Sequence, residues 1–95
     1  MTTDSKQEFF EKVESLRKHM VLNISQLTKL MGVSRMSYYG WLKGKPIRKN
    51  SEDKVKKTVK NLLFVMKEYD WPTAEVVAME PKDRFERLKS ILANL

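Results

Sequence analysis

The chain has no cysteine, so it holds neither a disulfide framework nor a thiolate metal site. It has one histidine, His19, and no glycine-rich phosphate loop or cluster of metal-ligand residues. Enzymatic chemistry, a resident metal and a cofactor are therefore not expected. Its longest apolar run is Leu62–Met66, far short of the roughly 20 residues a bilayer-spanning helix needs. The N-terminal segment is polar and lacks the apolar core of a secretion signal. A cytoplasmic location without a membrane partner is the expectation. In that setting the glycosylation-like triplet Asn23-Ile24-Ser25 carries no meaning. No residue repeat or low-complexity tract interrupts the chain.

The most informative absence is that of acids from one long block. Met1–Leu22 carries four basic and four acidic residues, Ser51–Asp70 five against four, and Trp71–Leu95 four against four. Asn23–Asn50 carries six basic residues (Lys29, Arg35, Lys43, Lys45, Arg48 and Lys49) and no acid. Six of the seven excess positive charges thus lie within 28 residues. Isolated charge runs are mostly solvated faces. A block emptied of acids fits a surface that meets phosphates.

What is present is helical. With 95 residues, 41% hydrophobic and 33% charged, the chain matches one small globular domain. Phe9, Phe10, Val13, Leu16 and Met20 recur at three- and four-residue spacing and predict a helix over about Lys6–His19. Asn23 is placed to cap a short helix carrying Leu27 and Leu30 that Gly32 ends. Ser34 caps another, carrying Tyr38, Trp41 and Leu42, that Gly44 ends. Pro46 disfavours helical geometry at Lys45 and breaks the pattern. A long helix is predicted over about Ser51–Tyr69, capped by Asn50 or Ser51. Val55, Val59, Leu62, Leu63, Met66 and Tyr69 would form its apolar face. Glu52 and Asp53 fall in its first turn, where the helix dipole favours them; they are not a catalytic pair. After Asp70-Trp71-Pro72, Thr73 caps a short helix through Val76, Val77 and Met79. Pro81 then starts a last helix with Phe85, Leu88, Ile91, Leu92 and Leu95 on one side. No segment shows the two-residue alternation of a strand. The expected fold is all-α, a small bundle of five to six helices. His19 is expected near helix carbonyls, and the six methionines are expected to fill gaps in the core.

In Leu22–Lys45 (LNISQLTKLMGVSRMSYYGWLKGK) two short helices meet through Gly32-Val33-Ser34, where the turn needs a residue that accepts positive φ. Leu27, Leu30, Val33, Tyr38 and Trp41 would face inward. This segment resembles the helix-turn-helix of the phage repressor and Cro family, also called the XRE family. Leu27, Thr28, Gly32-Val33-Ser34-Arg35, Trp41 and Gly44-Lys45 stand at the positions typical of that family. The resemblance covers about a quarter of the chain.

The resemblance implies that Arg35–Lys43 is a recognition helix lying in the major groove of double-stranded DNA. Arg35, Met36, Ser37 and Tyr39 would then face base edges. Arg35 can pair bidentately with guanine, Met36 can touch a thymine methyl, and Tyr39 can reach a base or phosphate through its hydroxyl. Ser34, Lys43, Lys45, Arg48 and Lys49 would meet phosphates. Two positions depart from the family. Gly40 stands at an expected exposed site where a polar side chain is usual, and Leu42 stands where a charge is common.

The function implied is a DNA-binding transcriptional regulator, in the sense of a repressor of phage, plasmid or bacterial origin. It would act on the nucleoid, without a cofactor, as a homodimer. The half from Ser51 to Leu95 would complete the core. Its stripe of Phe85, Leu88, Leu92 and Leu95 would either pair two copies or pack on the domain itself. Two other functions are compatible with the same residues. One is an accessory factor in phage or plasmid maintenance, such as a centromere binder or excision factor. The other is a protein-interaction module, such as an antitoxin or an inhibitor of a host protein.

Overall fold

The computed structural model describes residues 2–95, and among them it contains six helices and no strand. They are α1 (Thr2–His19), α2 (Ile24–Met31), α3 (Arg35–Leu42), α4 (Lys49–Glu68), α5 (Ala74–Ala78) and α6 (Pro81–Ala93). The all-α class follows from the 3.6-residue recurrence of apolar positions. α1 packs on α3, α2 on α3 and α4, and α4 on α6. One core runs through all of them, from Phe10, Val13 and Met20 through Leu27 and Tyr38 to Val55, Leu62, Val76 and Leu88. No described helix is long and apolar enough to cross a membrane.

The first three helices end in the same way. In each, the N–H two residues past the cap bonds back across five residues, and the N–H before it bonds back across three. Leu22 donates to the Arg17 carbonyl and Val21 to Lys18; Val33 donates to Thr28 and Gly32 to Lys29; Lys45 donates to Gly40 and Gly44 to Trp41. This Schellman closure requires a left-handed residue. Gly32 (φ 74°) and Gly44 (φ 97°) supply it for α2 and α3. α1 uses Val21, at φ 60°, a strained conformation for a β-branched side chain. The Arg17 guanidinium donates to the Leu22 carbonyl at 2.8 Å and braces that turn.

α4 departs from expectation at both its start and its face. It begins at Lys49, and Arg48 is the cap residue without a side-chain cap bond. Asn50 and Ser51 therefore lie inside the first turn instead of capping it. The break around Pro46 runs through Arg48, and the half-buried Ile47 side chain anchors the approach to the helix. The buried face is Val55, Thr58, Leu62 and Val65. Leu63 and Tyr69, expected inside, are 45% and 47% exposed. The helix is rotated because the C-terminal end of α2 lies against it, with the Thr58 hydroxyl 3.4 Å from the Leu30 carbonyl. Val59 and Met66 pack at the edge of the core.

The C-terminal elements close over this helix. Asp70 turns the chain at φ 53°, and the Trp71 indole N–H donates to the Met20 carbonyl at 3.1 Å in the interior. Thr73 caps α5 through the Val76 N–H. The Arg84 guanidinium satisfies the carbonyls left free at the end of α5, donating to Val77 at 3.2 Å and Met79 at 3.1 Å. Pro81 occupies the first turn of α6.

The stripe considered for pairing two copies is divided by this packing. Phe85 and Leu88 lie in the core of the protein's own bundle, Leu92 is half-buried against it, and only Leu95 is exposed. Phe85 and Leu88 are therefore not a dimer surface: the inner face of α4 covers them. The methionines divide too. Met20 and Met31 are buried, Met66 and Met79 half-buried, and Met36 is exposed, so it fills no gap. Met1 lies outside the described residues.

Candidate nucleic-acid interface

The α2–turn–α3 unit is built from local capping. The Asn23 side chain accepts from the Gln26 N–H at 2.7 Å, and the Gln26 side chain accepts from the Asn23 N–H at 3.0 Å. This reciprocal box fixes the start of α2. The Thr28 hydroxyl donates to the Ile24 carbonyl at 2.9 Å within the same helix. Gly32 turns the chain, and Ser34 begins α3 by accepting from the Ser37 N–H at 3.0 Å. The Ser34 and Ser37 hydroxyls also bond to each other at 2.9 Å.

The inner side of α3 is held by aromatic packing and one polar cluster. Phe10 stacks on Trp41 with ring centres 5.8 Å apart. Tyr38 meets both rings edge-on, at 6.2 Å and 6.4 Å. The Tyr38 ring is fully buried, and its hydroxyl donates to Glu14 at 2.6 Å. Glu14 is gripped from its other side by two donors of Arg17, at 2.9 Å and 2.8 Å. These hydrogen bonds from Arg17 hold the Glu14 carboxyl below its usual range. Partial burial opposes them and the Tyr38 hydroxyl adds to them. Burial first, and then the Glu14 carboxylate, push the Tyr38 phenol well above its ordinary value. α1 therefore sets the angle of α3 through a charge-assisted hydrogen bond as well as through apolar contact.

The outer side of α3 presents Met36, Tyr39 and Lys43 at three- and four-residue spacing, with Arg35 at the first helical position. Met36 is 84% exposed and Tyr39 47% exposed. Ser37 is exposed but lies toward the flank of the helix. There it lines a shallow hollow with Ser34, Met36, Gly40, Trp41, Lys45 and Pro46. Of the four residues expected to face bases, Arg35, Met36 and Tyr39 share the outer side. Ser37 is committed to the cap instead.

Gly40 is buried, which corrects the expectation of an exposed site. The stem of Lys45 covers it: a Cβ at position 40 would stand 3.1 Å from Lys45 Cδ. The closing turn of α3 folds Lys45 back along the helix, and glycine lets its methylenes lie there without shifting. Leu42 is half-buried against the core.

The cations expected to meet phosphates follow α3 in order. Lys43 caps its C-terminus, Lys45 lies along it, and Arg48 and Lys49 stand at the start of α4. Lys29, Arg35, Lys43, Lys45 and Arg48 form no ion pair with any described residue. Lys49 pairs with Asp53 at 3.2 Å, with both side chains in solvent. Such a pair contributes little and yields readily to a stronger anion.

Two supporting features were not anticipated. Glu14 and Arg17 sit one helical turn apart beside the apolar stripe of α1, and a charged pair in that place is the signal that announces them. The Asn-x-x-Gln spacing of Asn23 and Gln26 likewise announces the capping box. Compared with known family models, curated proteins and solved structures, the chain matches none of them.

Proposed function

We propose that this protein is a sequence-specific binder of duplex DNA that acts as a transcriptional regulator, in the sense of a repressor occupying an operator. α3 is its reading helix. The observation that carries the reading is the pairing of an outward α3 surface with five cations that have no acidic partner among the described residues. A cationic surface without internal compensation favours phosphates, and a rigidly seated helix favours base edges. The resemblance of Leu22–Lys45 to the phage repressor and Cro family supports the same reading. A single module of this size has limited contact area, so two copies on a palindromic site are part of the proposal. A cytoplasmic protein working on the nucleoid, without cofactor or catalysis, completes it.

The test is selection of bound fragments from a random-sequence duplex library, followed by titration of the recovered duplex and of unrelated DNA. Recovery of a defined motif is expected, with binding that weakens at a log–log salt slope of about −4 for four to five phosphate contacts. Arg35→Ala is expected to remove most of the preference for the motif while leaving binding to unrelated DNA nearly intact. Failure to bind any duplex at low salt refutes the reading. Sedimentation with and without the recovered duplex measures the stoichiometry.

A further inference from the structure

We propose that the outer ridge of α3 recognises the 5-methyl group of a pyrimidine in the major groove, through the Met36 side chain flanked by the Tyr39 ring. The inference rests on the duplex-binding reading above and names the chemistry that reading leaves open.

Met36 stands at the centre of this ridge. At 84% exposure it is the barest large apolar side chain among the described residues, and none of them covers it. It contributes nothing to the bundle: the residues that seat α3, Tyr38 and Trp41, lie on the opposite side. It stands in the first turn, the part of a reading helix that enters the groove most deeply. Tyr39 follows three residues later on the same face, within side-chain reach. An unbranched, polarisable thioether adapts to a small apolar projection better than a branched side chain does.

The remaining outer residues narrow the target further. Arg35 and Lys43 offer only donors, and Tyr39 offers a hydroxyl. No carboxylate or carboxamide occurs anywhere in α3. The ridge therefore lacks the carboxylate that pairs with cytosine N4 and the amide that pairs bidentately with adenine, and the Tyr39 hydroxyl is its one acceptor. Guanine, with two acceptors, and a 5-methylpyrimidine, with its apolar projection, are the base features this ridge satisfies best. The expected half-site places a guanine beside a methylated pyrimidine. Thymine and 5-methylcytosine present the same methyl group at the same edge.

The test uses the full-length protein and the tightest duplex recovered from a random library. Each thymine of that duplex is replaced in turn by deoxyuridine, and each cytosine in turn by 5-methylcytosine. If thymine is the source, deoxyuridine at one position weakens binding about fourfold, the worth of one buried methyl group. If 5-methylcytosine is the source, its introduction at one position strengthens binding about fourfold, with no thymine sensitive. In either case Met36→Ala reduces the methyl effect to less than about twofold, with circular dichroism unchanged. The proposal is overturned if neither replacement alters binding, or if Met36→Ala keeps the full methyl effect, while sequence-specific duplex binding persists. Absence of any duplex binding overturns the proposal together with the reading beneath it.

Discussion

The block from Asn23 to Asn50 and the helices after it carry cations at nearly the same density, six in 28 residues against nine in 45. The difference lies in what those cations meet. In the later region eight acids accompany the nine bases, and Lys56, Arg87 and Lys89 pair with Glu52, Glu75 and Glu86 at 2.9–3.1 Å. In the earlier one, among the described residues, only Lys49 has an acidic partner, Asp53, and that residue lies outside the block. Placement of acids, not abundance of bases, makes one region a candidate anion surface and the other a self-compensated frame. The two regions are also held differently. α3 is seated by aromatic rings and the Glu14 cluster, whereas α4 and α6 meet through Leu62, Val65, Phe85 and Leu88.

The largest expected effect tests whether the two regions are one folding unit. Trp41→Ala removes a ring buried between Phe10 and Tyr38, at a cost of about 3–5 kcal/mol. For a domain of this size that is a large part of total stability. Urea unfolding followed by circular dichroism should show the whole helical signal lost in a single transition at much lower denaturant. A surviving transition from α4–α6 would mean that the frame folds alone.

Next in size is the polar clamp on α3. Tyr38→Phe removes the hydroxyl donated to Glu14 and should lower stability by about 1.5–3 kcal/mol, the range for a hydrogen bond to a charged group. The clamp also sets a pH dependence. Because folding depresses the Glu14 carboxyl, its stabilisation is present at neutral pH. It is lost as pH falls through the ordinary carboxylate range and below it. Because folding raises the Tyr38 phenol above its ordinary 10.0, stability also declines as pH rises past that value, where the unfolded chain ionises first. Thermal unfolding across pH should show a shallower acid limb and a reduced alkaline limb in Tyr38→Phe.

A paired substitution addresses the charge contrast directly. Lys43→Ala with Lys45→Ala should weaken duplex binding about tenfold and reduce the salt slope by about 2. Lys56→Ala with Lys89→Ala should leave both nearly unchanged. Equal effects of the two pairs, by fluorescence anisotropy across salt concentrations, would erase the distinction between surface and frame.

The smallest effects concern the helix ends. Val21→Gly relieves a left-handed valine and should stabilise the fold by about 0.5–1 kcal/mol, the relief of strain exceeding the added entropy of the unfolded chain. Gly40→Ala adds helix propensity worth about 1 kcal/mol, while its methyl displaces the exposed stem of Lys45. It should raise the melting temperature slightly and still weaken duplex binding. Binding unchanged in a stabilised Gly40→Ala would remove Lys45 from the interface.

These contrasts also mark what the amino-acid order makes legible. Asn23, Ser34, Thr73, Pro81, Gly32 and Gly44 act within a few residues of their own positions, so local chemistry announces them. The phase of α4 is not local. Leu62, Leu63, Phe64, Val65 and Met66 are apolar all round the helix, and the contact with Leu30 of α2 selects the buried side. Gly40 looks like an exposed weakness until Lys45 returns along the helix to cover it. The α6 stripe is plain to see, but its spacing is the same whether the protein's own core or a second copy covers it. Within the candidate site, the exposed ridge and the cations were legible. The bond from Tyr38 to Glu14, 24 residues away, needed three dimensions.

The bond from the Trp71 indole to the Met20 carbonyl joins residues 51 positions apart, which gives the molecule an order of manufacture. Ribosomes deliver α1, α2 and α3 first, and domains complete as units when their distant parts arrive. The strained turn at Val21, braced by Arg17 from within α1, thus leaves the ribosome well ahead of the Trp71 indole that bonds to it. A nascent chain halted before Trp71 carries every residue of α3 without the indole bond behind it, so the turn between α1 and α2 is completed late in synthesis although its residues are made early.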